Sequence, residues 1–222
     1  VIIKRLEDWL YFNMNIDSGQ FHSVFTTEEL KNFNNILEKL SDAPCLDQKS
    51  NLSYGYTNGF KAGDPMYLAI KKIVIQRIEL LLGKKIQLHV GMILKSVSPF
   101  TIHSDYVKDD LHPDLAILIP LNLTALETHT VVFNEECFDD FSLYLSRTDQ
   151  LEINAKSLHK TLCSHETEHR LERVSTQGIY KWVPGSVIYW NRKLLHCSDN
   201  YIDRDIKEKR ALVLFTNNDN IE

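Results

Sequence analysis

Val183-Pro-Gly-Ser-Val-Ile-Tyr-Trp190-Asn-Arg-Lys-Leu-Leu-His196-Cys-Ser-Asp-Asn200 is the stretch on which the fold turns. Pro184-Gly185 is a tight-turn signal, because Pro presets one backbone angle and Gly tolerates the left-handed one that follows. The apolar run Ser186 to Trp190 then reads as a strand, a short polar link reverses the chain, and His196 falls at the start of the next run, at a sheet edge. Outward from this stretch the same texture continues. Ile86 to Lys95, Asp114 to Asn122, Thr130 to Asn134, Ile179 to Val183 and Arg210 to Thr216 are short β-type runs bounded by turn residues. That many strands in succession predict a sandwich or barrel.

Before Lys85 the period is helical. Thr26-Thr27-Glu28-Glu29 opens a segment running to about Ser41, with Leu30, Phe33, Ile36, Leu37 and Leu40 on one face. Asp64-Pro65 opens a second, through Ile70, Ile73, Val74, Arg77 and Leu81 to a stop at Gly83. Both read as buttresses. Glu135 to Gln177 is polar and weakly periodic, and a connection of that length in a compact domain is expected to be an insertion lying outside the core sheets. The expected organisation is one domain over 1–222: a helical buttress in 1–84, a β core in 85–217 and the insertion in 135–177.

Composition narrows the function. In 222 residues, 43% hydrophobic and 25% charged is an ordinary globular mix that disfavours disorder, collagen-like repeats and coiled-coil rods. The net charge of −5, without a basic arm, makes nucleic acid or an anionic membrane an unlikely partner class. Apolar stretches such as Leu115 to Leu121 are far below the roughly 20 residues a membrane helix needs, and no charged-then-apolar leader opens the chain. Cys45, Cys137, Cys163 and Cys197 form no C-x-x-C pair, so the expectation is reduced thiols and a cytoplasmic location.

The chemistry begins at Phe100-Thr-Ile-His103-Ser-Asp105-Tyr106. Residues two apart in extended chain share a face, so the His103 imidazole and Asp105 carboxylate can converge on a metal. The pair alone is weak, since 9 His and 16 Asp in 222 positions give roughly 0.65 such pairs by chance. A second one, His112-Pro113-Asp114, follows Asp109-Asp110 and reads as a turn into a strand. His196 and then Arg210, 14 residues later at the head of Ala-Leu-Val-Leu-Phe, give the first pair its weight.

In this order the residues resemble the Fe(II)/2-oxoglutarate-dependent oxygenases, whose pattern is His-x-Asp, a long gap, His, then a basic residue on a following strand. The resemblance spans about Ile86 to Thr216 and implies a mainly β fold with flanking α-helices, the double-stranded β-helix or jelly roll. It implies Fe(II) held by His103, Asp105 and His196, with 2-oxoglutarate and dioxygen as cosubstrates and hydroxylation of a small-molecule or peptidyl substrate as the usual outcome. Two imidazoles and one carboxylate on a single face of the metal leave the opposite positions open, as oxygen chemistry requires. Arg210 is the expected partner of the distal 2-oxoglutarate carboxylate, because a planar guanidinium fork matches both oxygens. Lys207 or Lys209 would replace it if the strand register slipped by an odd step. Relatives often carry a Tyr nine residues before the first His, where Leu94 stands here, so the other cosubstrate contact falls to Thr130, with Asn122 and Asn200 as alternatives.

Two other readings compete. His165-Glu166-Thr-Glu-His169 is a literal H-E-x-x-H, the pattern of a zinc metallohydrolase helix with two His one turn apart and Glu beside a bound water. Its surroundings are polar nearly all round, which suits a solvated helical insertion better than a rigidly buried zinc helix. The third reading is a non-catalytic jelly-roll binding module, since fold alone does not dictate activity. Trp182, Tyr189 and Trp190 read as core or rim aromatics without a catalytic role.

Overall fold

The Pro184-Gly185 turn forms as its residues dictate: Gly185 takes φ +85° and the Ser186 N–H donates to the Val183 carbonyl at 3.0 Å. A Cβ on Gly185 would lie 2.4 Å from the Phe25 carbonyl oxygen, so the turn is closed to any larger residue. The computed structural model describes residues 17–40, 45–46, 54–56, 59–106, 112–137 and 152–218. Its strands are β1 (Ser18–Phe21), β2 (Cys45–Leu46), β3 (Tyr54–Tyr56), β4 (Gln87–Ser96), β5 (Pro113–Pro120), β6 (His129–Glu136), β7 (Thr176–Lys181), β8 (Val187–Asn191), β9 (Leu194–Ser198) and β10 (Lys209–Asn217). Among the described residues they form a seven-stranded sheet, β1-β8-β5-β10-β4-β3-β2, facing a three-stranded one, β7-β6-β9, with every pairing antiparallel. This is the sandwich that the strand runs predicted, in the jelly-roll form that the resemblance implied.

Strand alternation divides the interior. On β10, Leu212 and Leu214 point to the outer face of the large sheet, while Lys209, Ala211, Val213 and Phe215 point between the sheets. The outer face packs on Ile70, Val74, Ile75 and Ile78 from α2 (Pro65–Ile70), a single π-helical stretch (Lys71–Ile75) and α3 (Gln76–Leu82), which stops at Gly83 with φ +65°. Helix α1 (Thr27–Leu40) starts with a reciprocal capping box: the Glu29 N–H donates to Thr26 Oγ1 at 3.2 Å and the Thr26 N–H to Glu29 Oε2 at 2.8 Å. Leu30 is buried as its stripe predicts; the side chains of Phe33, Ile36, Leu37 and Leu40 lie outside the described residues.

Two expectations change. Residues 1–84 supply more than helices: β1, β2 and β3 extend both edges of the large sheet. The two ends of the 135–177 segment belong to β6 and β7 of the small sheet, and its described middle is not a solvated appendage. Ala155 and Leu158 of α4 (Glu152–Thr161), Cys163, Leu171 of α5 (Glu168–Leu171) and Val174 pack on Val131, Phe133, Leu195 and Cys197, on the back of the small sheet. No helix among the described residues is long and apolar enough to cross a membrane.

Candidate metal centre

His103 sits in irregular chain, joined to β9 through a single bridge: its N–H donates to the His196 carbonyl at 3.0 Å, and the His196 N–H donates back at 2.8 Å. That bridge sets the two imidazoles side by side, ring centroids 4.3 Å apart. Asp105 is fixed next to them by a backbone exchange with the fully buried Arg192, whose carbonyl accepts from the Asp105 N–H at 3.0 Å and whose guanidinium donates to the Asp105 carbonyl at 3.1 Å. The Asp105 carboxylate lies 3.4 Å from His196 Nε2 and 4.0 Å from His103 Nε2, and one ligand atom from each of the three lies within 4.8 Å of the others.

The remaining ring nitrogens orient the set. His103 Nδ1 lies 2.7 Å from the Thr101 carbonyl and His196 Nδ1 3.2 Å from the Leu194 carbonyl, contacts that hold the proton on Nδ1 and turn both Nε2 lone pairs inward. Burial holds the His196 imidazole pKa down to about 4 against the pull of Asp105, so the ring stays neutral, as a metal ligand must be. Trp190 Nε1 donates to Asp105 Oδ2 at 3.1 Å and its ring packs on His196 with centroids 4.6 Å apart. Trp190, read from sequence as a core or rim aromatic, thus orients a member of the triad; its place on an inward position of β8 was the available signal. We expect Trp190→Phe, which keeps the packing and loses the donor, to weaken divalent-metal binding about tenfold, measured by cobalt titration.

The triad opens on a cavity of about 450 Å³ lined largely by apolar side chains, among them Met92, Leu94, Leu118, Trp182, Val213 and Phe215. Ser96, Thr130, Ser198 and Lys209 supply its polar groups besides the triad. Of the adjacent basic residues, the structure places the alternative, Lys209, at the cavity. Arg210 is not among the cavity-lining residues; Lys209, one position earlier, is the inward one. The physical reason is the two-residue period: pairing with β4 sets Lys209 opposite Ser96 and Arg210 opposite Lys95, so only the first pair faces the other sheet. Asn122 caps the same strand instead of entering the cavity, accepting from the Arg210 N–H at 2.7 Å. Asn200 is engaged elsewhere, donating to Ser164 and Asp203 at 2.8 Å each.

Lys209 is 3% exposed, its Nζ 3.8 Å from Asp199, 3.1 Å from the His129 carbonyl and 4.3 Å from the Trp182 ring centre. Burial lowers its pKa to about 8, with Asp199 pulling the other way. Asp199 is itself fully buried; although burial pushes its pKa up, the hydrogen bond from His129, the charge of Lys209, the Thr128 hydroxyl and Arg204 hold it below the usual value.

Neither rival constellation assembles. His112-Pro113-Asp114 enters β5, where Asp114 pairs with Lys84 at 2.7 Å. In the H-E-x-x-H segment, α5 begins only at Glu168, so His165 and His169 do not share a helix. His165 Nε2 contacts the Phe100 carbonyl at 3.1 Å, Glu166 is buried against Arg170 at 2.9 Å, and His169 is exposed beside Arg173 at 2.7 Å. We expect His169→Ala to leave cobalt affinity within twofold of the parent, as an exposed side chain outside the triad should.

No protein-family model matches the sequence, and no curated protein matches it. Solved structures do. An oxidoreductase of the 2OG-Fe(II) oxygenase family from Burkholderia pseudomallei superimposes with TM-score 0.59 at 11% identity, over 96% of this chain and 90% of that one. The epimerase SnoN, solved with Fe3+, alpha ketoglutarate and nogalamycin RO, gives 0.61 at 12% identity over 97% and 84%. EctD from S. alaskensis, solved with 2-oxoglutarate and 5-hydroxyectoine, gives 0.54 at 16% over 91% and 73%. The chain therefore has the jelly-roll fold of the 2OG-Fe(II) oxygenases, and it carries a His-x-Asp…His triad in His103, Asp105 and His196.

Proposed function

We propose that the protein is a non-haem Fe(II)- and 2-oxoglutarate-dependent dioxygenase that hydroxylates its substrate. The observation that carries this is the convergence of His103, Asp105 and His196 on the wall of a largely apolar cavity. Two neutral imidazoles and a carboxylate are a donor set suited to Fe(II), and they occupy one side only. With 2-oxoglutarate and dioxygen, iron in such a site supplies the oxidative decarboxylation that drives C–H hydroxylation.

The chain's own residues divide the remaining work. His103 and His196 present Nε2, and Asp105 is held in place by Trp190 and Arg192. The Lys209 ammonium takes the distal carboxylate of 2-oxoglutarate, the role that Arg210 was expected to fill. A buried ammonium is worth more there than an exposed one, because little water competes for the carboxylate. The Thr130 hydroxyl, buried on the facing sheet, adds a neutral donor. Met92, Phe215 and the Trp190 ring form the wall at the end of β10 opposite Lys209, so the substrate presents an apolar group to the metal.

The deciding experiment is anaerobic titration of the protein with Fe(II) and 2-oxoglutarate, followed by air. A weak visible charge-transfer band and iron-dependent formation of succinate are expected; a protein that gives neither is not an oxygenase. The same titration separates the proposal from a binding module, which shows no succinate, and from a zinc hydrolase, which shows no band.

A further inference from the structure

We infer that Glu166 and Arg170 are positioning residues for the metal ligand His103, acting through the backbone of Ile102. The inference rests on the proposed metal centre and concerns a part of the chain that the oxygenase pattern does not include.

The argument starts from what holds His103. His196 is built into β9 and paired on β6, so the sheet fixes its backbone. The segment carrying His103 is not a strand, and among the described residues the His103–His196 bridge is its only backbone pairing with a strand. A ligand on irregular chain needs other partners to fix its place, because free backbone groups would let the segment move. Those partners come from 164–173. The Ile102 N–H donates to Glu166 Oε1, and the Ile102 carbonyl accepts from the Arg170 guanidinium at 3.0 Å. Arg170 closes the loop on Glu166 Oε2 at 2.9 Å. One residue earlier in the same segment, His165 Nε2 meets the Phe100 carbonyl at 3.1 Å, while Ser198 Oγ accepts from the Phe100 N–H at 2.8 Å.

Both backbone polar groups of the residue before the ligand are thus taken by one ion pair whose carboxylate is buried and whose guanidinium is partly exposed. Glu166 is 4% exposed, and its carboxylate meets the Ile102 N–H and the Arg170 guanidinium. The Ile102 side chain completes the clamp by packing into the cluster formed by Cys163, Leu171, Val174 and Cys197. Burying a charged pair costs desolvation that an apolar pair would avoid. Its use here is geometric: a planar guanidinium that donates from one nitrogen to Glu166 and from the other to the Ile102 carbonyl fixes distances and angles to a backbone that side-chain packing alone leaves free to slide. The H-E-x-x-H match therefore acts on a metal site from outside it, through hydrogen bonds.

The test uses cobalt(II) as probe, titrated by visible absorption into the metal-free full chain, with thermal melting of each metal-free variant alongside. Arg170→Met removes the clamp but strands a buried carboxylate, so the paired change Glu166→Gln with Arg170→Met, which leaves no lone charge and keeps an amide oxygen for Ile102, is made as well. Each is made with His103 present and in a His103→Ala background. If the clamp acts through His103, both weaken cobalt binding by about 10- to 100-fold when His103 is present and by less than twofold when it is absent. Unchanged cobalt affinity with His103 present, or an equal loss in the two backgrounds, overturns the inference. Failure of the parent chain to bind cobalt, or parent-like binding by His103→Ala, overturns the metal reading beneath it instead.

Discussion

Replacing His196 by Ala is expected to weaken divalent-metal binding by about two to three orders of magnitude and to abolish iron-dependent succinate formation. The magnitude follows from ligand arithmetic: a four-ligand zinc site gives about 10–16 kcal/mol, or about 2.5–4 kcal/mol for each ligand. The real loss falls more heavily on turnover, because the two ligands that remain no longer define one face of the ion. Asp105→Ala should match it in effect on metal and differ in one respect. It strands the Trp190 Nε1 donor, which then adds a desolvation cost of about 1–3 kcal/mol to the folded state. Isothermal titration with cobalt, paired with melting of the metal-free forms, reads both quantities. Parent-like affinity in either variant means that the three side chains do not share an ion.

The second large effect is expected at Lys209. Truncating one partner of a buried charge pair costs about 2–5 kcal/mol, which for Lys209→Met is an increase of about 30- to 4,000-fold in the 2-oxoglutarate concentration that supports turnover. Metal affinity without cosubstrate should change little, because the contacts of Lys209 are with Asp199, the His129 carbonyl and the Trp182 ring and not with the triad, and Arg210→Ala should have a far smaller effect than Lys209→Met. The pH dependence carries a definite sign. Lys209 has its pKa lowered to about 8 by burial, so the cationic form that binds a carboxylate prevails below that pH and is lost above it. Cosubstrate affinity should be flat below about pH 8 and then weaken, by about tenfold per pH unit at the limit. Lys209→Arg keeps the charge across this range and should remove the pH dependence. Persistence of the same pH profile in that variant would exclude Lys209 as the titrating group.

How far the sequence reached differs from residue to residue, for reasons that can be given. His103 and Asp105 were legible because two-residue spacing in extended chain is a local property. His196 was legible because the turn at Pro184-Gly185 and the apolar run behind it fixed where the strand pair ended. The inward basic residue was not legible. Lys209 and Arg210 are adjacent and both cationic, and a shift of one position exchanges the two faces of a strand. That choice is made by pairing with β4 and β5, whose partners lie about ninety to more than a hundred residues earlier. The segment 163–173 failed for a related reason. Its charges look solvated when only neighbours in sequence are counted, yet Glu166 and Arg170 spend theirs on each other and on Ile102, more than sixty positions upstream.

The sequence by itself determined the strand-rich core, the order of the three convergent side chains and the turn that delivers the last of them. These rest on periodicity, on the fixed angle of proline and on the freedom of glycine, all of which act within a few residues. The tertiary structure alone decided that Lys209 faces the cavity, that Trp190 orients Asp105 and that Glu166 and Arg170 hold the chain behind His103. Each is a contact between distant stretches, set by sheet register or by the need of a buried polar group for a partner, and neither constraint exists until the chain has folded.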